Sequence, residues 1–241
     1  MSTSLHWNLH DLPPGQGLGA HQADWDRLNQ QLMDGHGMLD ARFVDALLKH
    51  VGGDGALLAV ARQAQAPVAM LLLNPRSRGL GVWSSFLPAQ AQIGPSLLPV
   101  DLDLRGLFQA LPSRALELDL LCNDPRFGDL RDAPGRPAQG LPHALTMNVS
   151  LRDSFDDYWA QRPRKLIQNM RRYLRRLQAE PGTERLVTIT DPDAMADAVA
   201  RYALLESSGW KGRQGTAVGA ASDSSALAAW FTEACISRSA A

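Results

Sequence analysis

Between Glu206 and Arg213 the chain places a carboxylate (Glu206), an indole (Trp210) and two cations (Lys211 and Arg213), within the glycine-rich stretch LESSGWKGRQGTA that follows a helical pattern. An indole offers a flat apolar platform, the cations attract anions, and glycines let a backbone approach a ligand closely. Such a loop can hold an anionic or sugar-like substrate. The same residues also fit a plain helix end, with Gly209 as the cap and Trp210 turned back onto the core.

A second cationic cluster precedes it. From Arg164 to Glu180, Leu166, Met170, Tyr173, Leu174 and Leu177 recur on one face at the helical period, with Arg164, Arg171 and Arg175 opposite and Lys165, Arg172 and Arg176 on the flanks. No acidic residue lies between Tyr158 and Ala179. This pattern allows a solvated charged face, a phosphate or nucleic-acid contact, or a helix on a membrane surface. Neither a helix-turn-helix partner nor a zinc pattern accompanies it, so nucleic acid is not the expected partner. If this helix and the Trp210 loop pack together, Arg172, Arg175 and Arg176 would join Glu206, Trp210, Lys211 and Arg213 in one substrate-binding pocket.

Other chemistry is sparse. The six histidines (His6, His10, His21, His36, His50 and His143) show no metal-ligand spacing, and Cys122 and Cys235 read as small core residues of a protein kept in a reducing cytoplasm. No metal site and no Ser-His-Asp or Cys-His arrangement emerges, and no catalytic residue is assigned. The string Arg76-Ser77-Arg78-Gly79-Leu80-Gly81 fits R/Q-x-x-G-x-G/A, the pyrophosphate loop of acetyl-CoA-dependent transferases, but such a loop must open a helix and VWSSF reads as a strand. It is expected to be a hairpin turn. KGRQGTA (211–217) has Gly212 where that pattern needs Arg or Gln.

These residues need a scaffold, and 241 residues with 45% apolar and 20% charged side chains are enough for one large or two modest domains with a real core. A net charge of −1 gives no global attraction for polyanions, so any basic site is local. With 21 Arg against 3 Lys, single arginines carry little weight. The N-terminal stretch lacks the basic and apolar regions of an export signal, and the longest strongly apolar run, 67–73, is far below a membrane span. A cytoplasmic protein without a membrane span is expected.

The apolar periods predict helices over 24–33 and 40–51, then strands over 55–63, 67–74 and 80–86 as an antiparallel meander. A short helix (104–111), a strand (115–122), a weak helix or loop (124–132) and a strand (143–150) follow. Ser154 with Asp157 marks a capping box before Pro163 interrupts the helix, and the basic helix leads through PGTE to a strand over 185–190. Helices over 192–207, behind an Asp191 cap, and over 224–236 complete the order.

The segment FDDYWAQRPRKLIQNMRRYLRRLQAE, followed by TITDPDAMADAVARYALLESSGWKGRQGTAV, resembles the central part of the CelD-like, GNAT-type acyltransferases linked to bacterial cellulose and exopolysaccharide synthesis. The specific part is the basic helix, Glu206, Trp210-Lys211-Gly212 and Gly215-Thr216-Ala217. The resemblance implies an α+β fold of two GNAT-like units, each with a mixed, largely antiparallel sheet and helices. It places a first, degenerate unit at 1–150, and a basic connector with the start of a second unit at 151–241. It also implies acyl-CoA, acetyl-CoA above all, as co-substrate, and N-acyl transfer to a sugar or polysaccharide precursor. A GNAT unit runs strand, two helices, three antiparallel strands, helix, strand, helix, strand, and 24–150 follow this order after the first strand.

The second unit stops before its CoA-binding strand, loop and helix, and in the first FLPAQAQIGPSLLP lacks the Arg or Gln expected three residues before Gly94. No cofactor-binding residue is therefore identified. The expectation is a truncated product or a non-catalytic module that binds an anionic glycan or a partner protein, with an unpaired sheet edge and an open apolar helix face at the C-terminus.

Overall fold

ALLAVA and VAMLLL, apolar at every position, form the centre of the sheet, and each is buried on both faces. The computed structural model describes residues 5–88, 91–127, 139–145, 147, 152, 154–179, 186–215, 217 and 224–239. Strands β1 (Leu5–Leu12), β2 (Ala56–Gln63), β3 (Ala66–Ser77) and β4 (Val82–Ser85) are antiparallel neighbours in that order. A short β5 (Ser96–Leu97) pairs with β3, and β6 (Glu117–Asp119) pairs parallel to β4. The fold is α+β with an open, mostly antiparallel sheet, and the meander lies where its apolar runs put it.

Helices α1 (Gln22–Met33) and α2 (Ala41–Val51) cover one face of the sheet, and α3 (Arg105–Ala110) the other. Because side chains alternate along a strand, Leu58, Val60, Met70 and Leu72 join Trp25, Leu28 and Leu47 in one core, while Leu57, Ala59, Leu71 and Leu73 join Trp83, Leu104 and Leu107 in another. Both faces being covered, the strands read as continuous apolar runs rather than alternating ones. Gly81 (φ 63°) turns the β3–β4 connection in the left-handed region, where a Cβ would lie 2.4 Å from the Arg114 carbonyl oxygen. The hairpin expected there is present, with Leu116 donating its N–H to the Gly81 carbonyl at 2.8 Å.

β1 is a strand that the apolar periods assigned above leave out. Leu5, Trp7 and Leu9 alternate with His6, Asn8 and His10, and the apolar set packs into the α3-side core. The expected strands over 143–150 and 185–190 fare differently. Residues 141–145, 147 and 186–190 are irregular, and Leu145 and Leu186 are 90% and 96% exposed; the remainder of both segments lies outside the described residues. A period-2 pattern makes a strand only where a neighbouring strand takes its hydrogen bonds. From 124–132, Pro125–Phe127 form one turn of 3₁₀ helix, and 128–132 lie outside the described residues.

The chain divides into two compact units, Met1–Gly140 with Thr190–Ala241, and Leu141–Ile189. The smaller unit contains α4 (Phe155–Ala160) and α5 (Arg164–Ala179), the expected basic helix. Ser154 caps α4, accepting from the Asp157 N–H at 3.1 Å. In the larger unit α6 (Pro192–Ser208), α7 (Trp210–Arg213) and α8 (Ser224–Ser239) follow. The α8 face expected to stand open is covered: Trp230 and Ala234 are buried, and Trp230 meets Phe43 of α2 edge to face at 5.7 Å. His50 bonds Glu233 across the same helix pair at 2.6 Å. The two cysteines are not joined in a disulfide and are half-buried, rather than fully enclosed core residues.

Candidate functional site

Asp191 accepts from the Asp193 N–H at 3.1 Å and Pro192 occupies the first turn, so α6 starts where the cap residues require. It ends at Gly209, an extended residue from which α7 folds directly back. Gly212 makes that reversal possible, because a Cβ there would lie 1.8 Å from the Ser207 carbonyl oxygen. The one-turn α7 replaces the loop expected over 210–213.

The reversal brings the Lys211 ammonium onto Glu206 Oε1. Tyr202, one turn earlier on α6, donates its hydroxyl to the same oxygen at 2.8 Å and stacks on Phe231 of α8 at 5.8 Å. The Glu206 side chain is only 8% exposed. Two donors thus converge on one nearly buried carboxylate oxygen. Tyr202 was not among the expected site residues, although its i, i+4 spacing to Glu206 signals the contact.

Hydrogen bonding to Glu206 holds the Lys211 ammonium above its ordinary value, and the separate hydrogen bond from Tyr202 to the same oxygen, with burial, raises the Tyr202 phenol. Both keep their protons at neutral pH, so neither acts there as a general base. Lys211 is consequently a partner of Glu206 rather than a cation aimed only at a ligand. Glu206→Gln should return the Lys211 titration toward that of an ordinary lysine, read by NMR of the ¹³C-methylated amine. An unchanged titration would show that the carboxylate does not set it.

Trp210 is 58% exposed, which removes the reading in which it fills the core, and Arg213 is exposed beside it. Ala217 is buried, and Thr216 lies outside the described residues. Arg172, Arg175 and Arg176 are exposed on α5, in the unit Leu141–Ile189, whereas Glu206, Trp210, Lys211 and Arg213 belong to the other unit.

A strand, a loop and a helix also run from β4 to α3, where a phosphate cradle would have to use backbone N–H groups. Several of those groups are already engaged: Phe86 donates to Leu72 O at 2.8 Å, Ala91 to Pro88 O at 2.9 Å and Gly94 to Cys122 O at 3.3 Å. Ser85 Oγ accepts from the Leu121 N–H at 3.2 Å, tying β4 to the chain beyond β6. Arg76, the first residue of the R-x-x-G-x-G string, bonds Asp119 at 2.6 Å. That string turns into β4 rather than a helix.

Comparison with protein-family models, with curated proteins and with solved structures finds no match for this chain.

Proposed function

We propose that this chain is a GNAT-like protein of acyl-CoA-dependent N-acyl transfer, acting from acetyl-CoA on an amine of a sugar or polysaccharide precursor. The observation that carries the reading is the order β1, α1, α2, β2, β3, β4, α3, β6, interrupted by the two-residue β5 between β4 and α3; it includes the first strand that a GNAT unit requires. It adds to the resemblance carried by the basic helix and the Glu206–Ala217 stretch. Two cysteines held as thiols go with a reducing, cytoplasmic setting. In such a transfer the amine attacks the thioester carbonyl, its proton passes to a base or water chain, and a backbone N–H stabilises the oxyanion until CoA leaves as thiol.

One feature favours a second reading, in which the chain binds an anionic glycan or a partner protein without catalysis. Between β4 and α3 the N–H groups of Phe86, Ala91 and Gly94 are spent on Leu72, Pro88 and Cys122, which leaves fewer donors for a CoA pyrophosphate. Calorimetric titration with acetyl-CoA separates the two. Micromolar binding is expected of the transferase, whereas no heat with acetyl-CoA and retained binding of an acidic oligosaccharide would replace it with the binding module.

A further inference from the structure

The basic helix has two faces to satisfy. None of its side chains is buried, and Leu166, Met170, Tyr173, Leu174 and Leu177 are 42–51% exposed. A stripe of that kind left in water is what amphipathic helices usually cover. Arg171 and Arg175 on the opposite side and Arg172 and Arg176 on the flanks crowd the rest of the helix, and no carboxylate stands between Tyr158 and Ala179 in the sequence. In the preceding helix α4, Phe155 is 68% exposed and stacked on Trp159 at 5.6 Å.

We propose that α5 docks on an anionic lipid surface, with its apolar stripe at the boundary between headgroups and acyl chains and its arginines among the lipid phosphates. Three simpler occupants each serve one face only. A nucleic acid or acidic glycan would neutralise the arginines and leave the leucines in water, and a neutral protein groove would take the leucines and leave the charges. An anionic bilayer takes both. With 16 residues and this charge, α5 lies on the surface and does not cross it, and no helix among the described residues is long and apolar enough to span a membrane. Aromatic side chains such as Phe155 and Trp159 suit the same interface, where one edge is apolar and the other wet. The proposal is independent of acyl transfer.

The test is sedimentation of the full chain with phosphatidylcholine vesicles, with and without phosphatidylglycerol, at low and high salt. Binding is expected only with phosphatidylglycerol and should weaken in high salt. Each basic residue near such a surface is worth about fivefold in partition, so replacing Arg172, Arg175 and Arg176 together by Gln should lower it on the order of 100-fold. Leu174→Asp with Leu177→Asp should lower it by at least about tenfold, because the stripe can no longer enter the interface. In the parent chain, phosphatidylglycerol vesicles should protect the α5 arginines from trypsin, a readout that needs no variant. The proposal is overturned by failure to bind those vesicles, by unchanged cleavage of α5 in their presence, or by partition indifferent to Leu174→Asp and Leu177→Asp in chains that unfold like the parent. The last outcome would mark a charge-only site, of the kind that binds RNA.

Discussion

Trp25→Ala should be among the most damaging single substitutions in this protein, costing about 3–5 kcal/mol. The indole is fully buried on the α1 side of the sheet, and its Nε1–H donates to the Leu39 carbonyl at 2.8 Å. Alanine removes the ring, opens a cavity in the core that Trp25 shares with Leu28, Leu39 and Leu47, and leaves that carbonyl without its donor, a further penalty of about 1–3 kcal/mol if no water reaches it. Total stabilities of about 5–15 kcal/mol make such a loss enough to populate the unfolded state. Chemical denaturation is the measurement: the midpoint should drop sharply for Trp25→Ala and less for Trp25→Phe, which keeps most of the volume. Equal midpoints for parent and Trp25→Ala would mean that α1 is not seated on the sheet through this residue.

Asp45→Ala should cost about 2–4 kcal/mol, because one nearly buried carboxylate ties the chain that leads into α1 to α2. Its side chain is 6% exposed, accepts the Leu18 N–H at 2.7 Å and pairs with Lys49 at 2.6 Å. Gly17 leaves it room, since a Cβ there would overlap the carboxylate. Burial alone would raise the Asp45 pKa, and hydrogen bonds from Lys49, Gln22 and Leu18 outweigh it, so the carboxyl titrates below its ordinary value.

The sign of the pH effect follows from that direction. A depressed carboxylate contributes fully above the unfolded-state pKa and loses its contribution as pH falls through the folded one. Asp40, where burial is outweighed by bonds from Arg42, and Asp124, bonded by Arg126, act in the same direction. His21 and His36 are held below the ordinary value of 6.5, chiefly by burial, so the unfolded chain protonates first and stability declines as pH drops through 6.5. The urea midpoint should therefore fall in two stages on acidification, one beginning near pH 6.5 and one near about pH 4. Asp45→Asn should shrink the lower stage and spare the upper. A flat profile between neutrality and the carboxylate range would contradict the histidine environments.

Local pattern and tertiary context divide the fold between them. Helices α1, α2 and α5 are legible because their apolar residues recur at the helical period, and α2, α4 and α6 because Asp40, Ser154 and Asp191 stand at their caps; Asp40 accepts from the Arg42 N–H at 2.9 Å at the start of α2. The β2–β4 meander was legible as apolar runs between turn residues. β1 carried an equally regular alternation, LHWNLHDL, and the signal was there to be read. LPHALTMNV and RLVTIT carry the same kind of signal, yet their described residues are irregular. Alternation shows that a segment can be half-buried in a sheet; the presence of an edge to join depends on the rest of the chain.

At the candidate site the sequence by itself determined the cast: a helix ending at Gly209, a carboxylate at Glu206, and Trp210, Lys211 and Arg213 just beyond. Only the tertiary structure decided their roles. Gly212 lies too close to the Ser207 carbonyl for any side chain, and the resulting reversal delivers Lys211 to Glu206 and leaves Trp210 in solvent. The engagement of Phe86, Ala91 and Gly94 was likewise hidden, because backbone donors look alike in every sequence and only the fold chooses their acceptors. Periodicity and capping act over a few residues and can be read along the chain. Pairing between distant residues depends on which surfaces burial brings together, and that is settled only when the whole core forms.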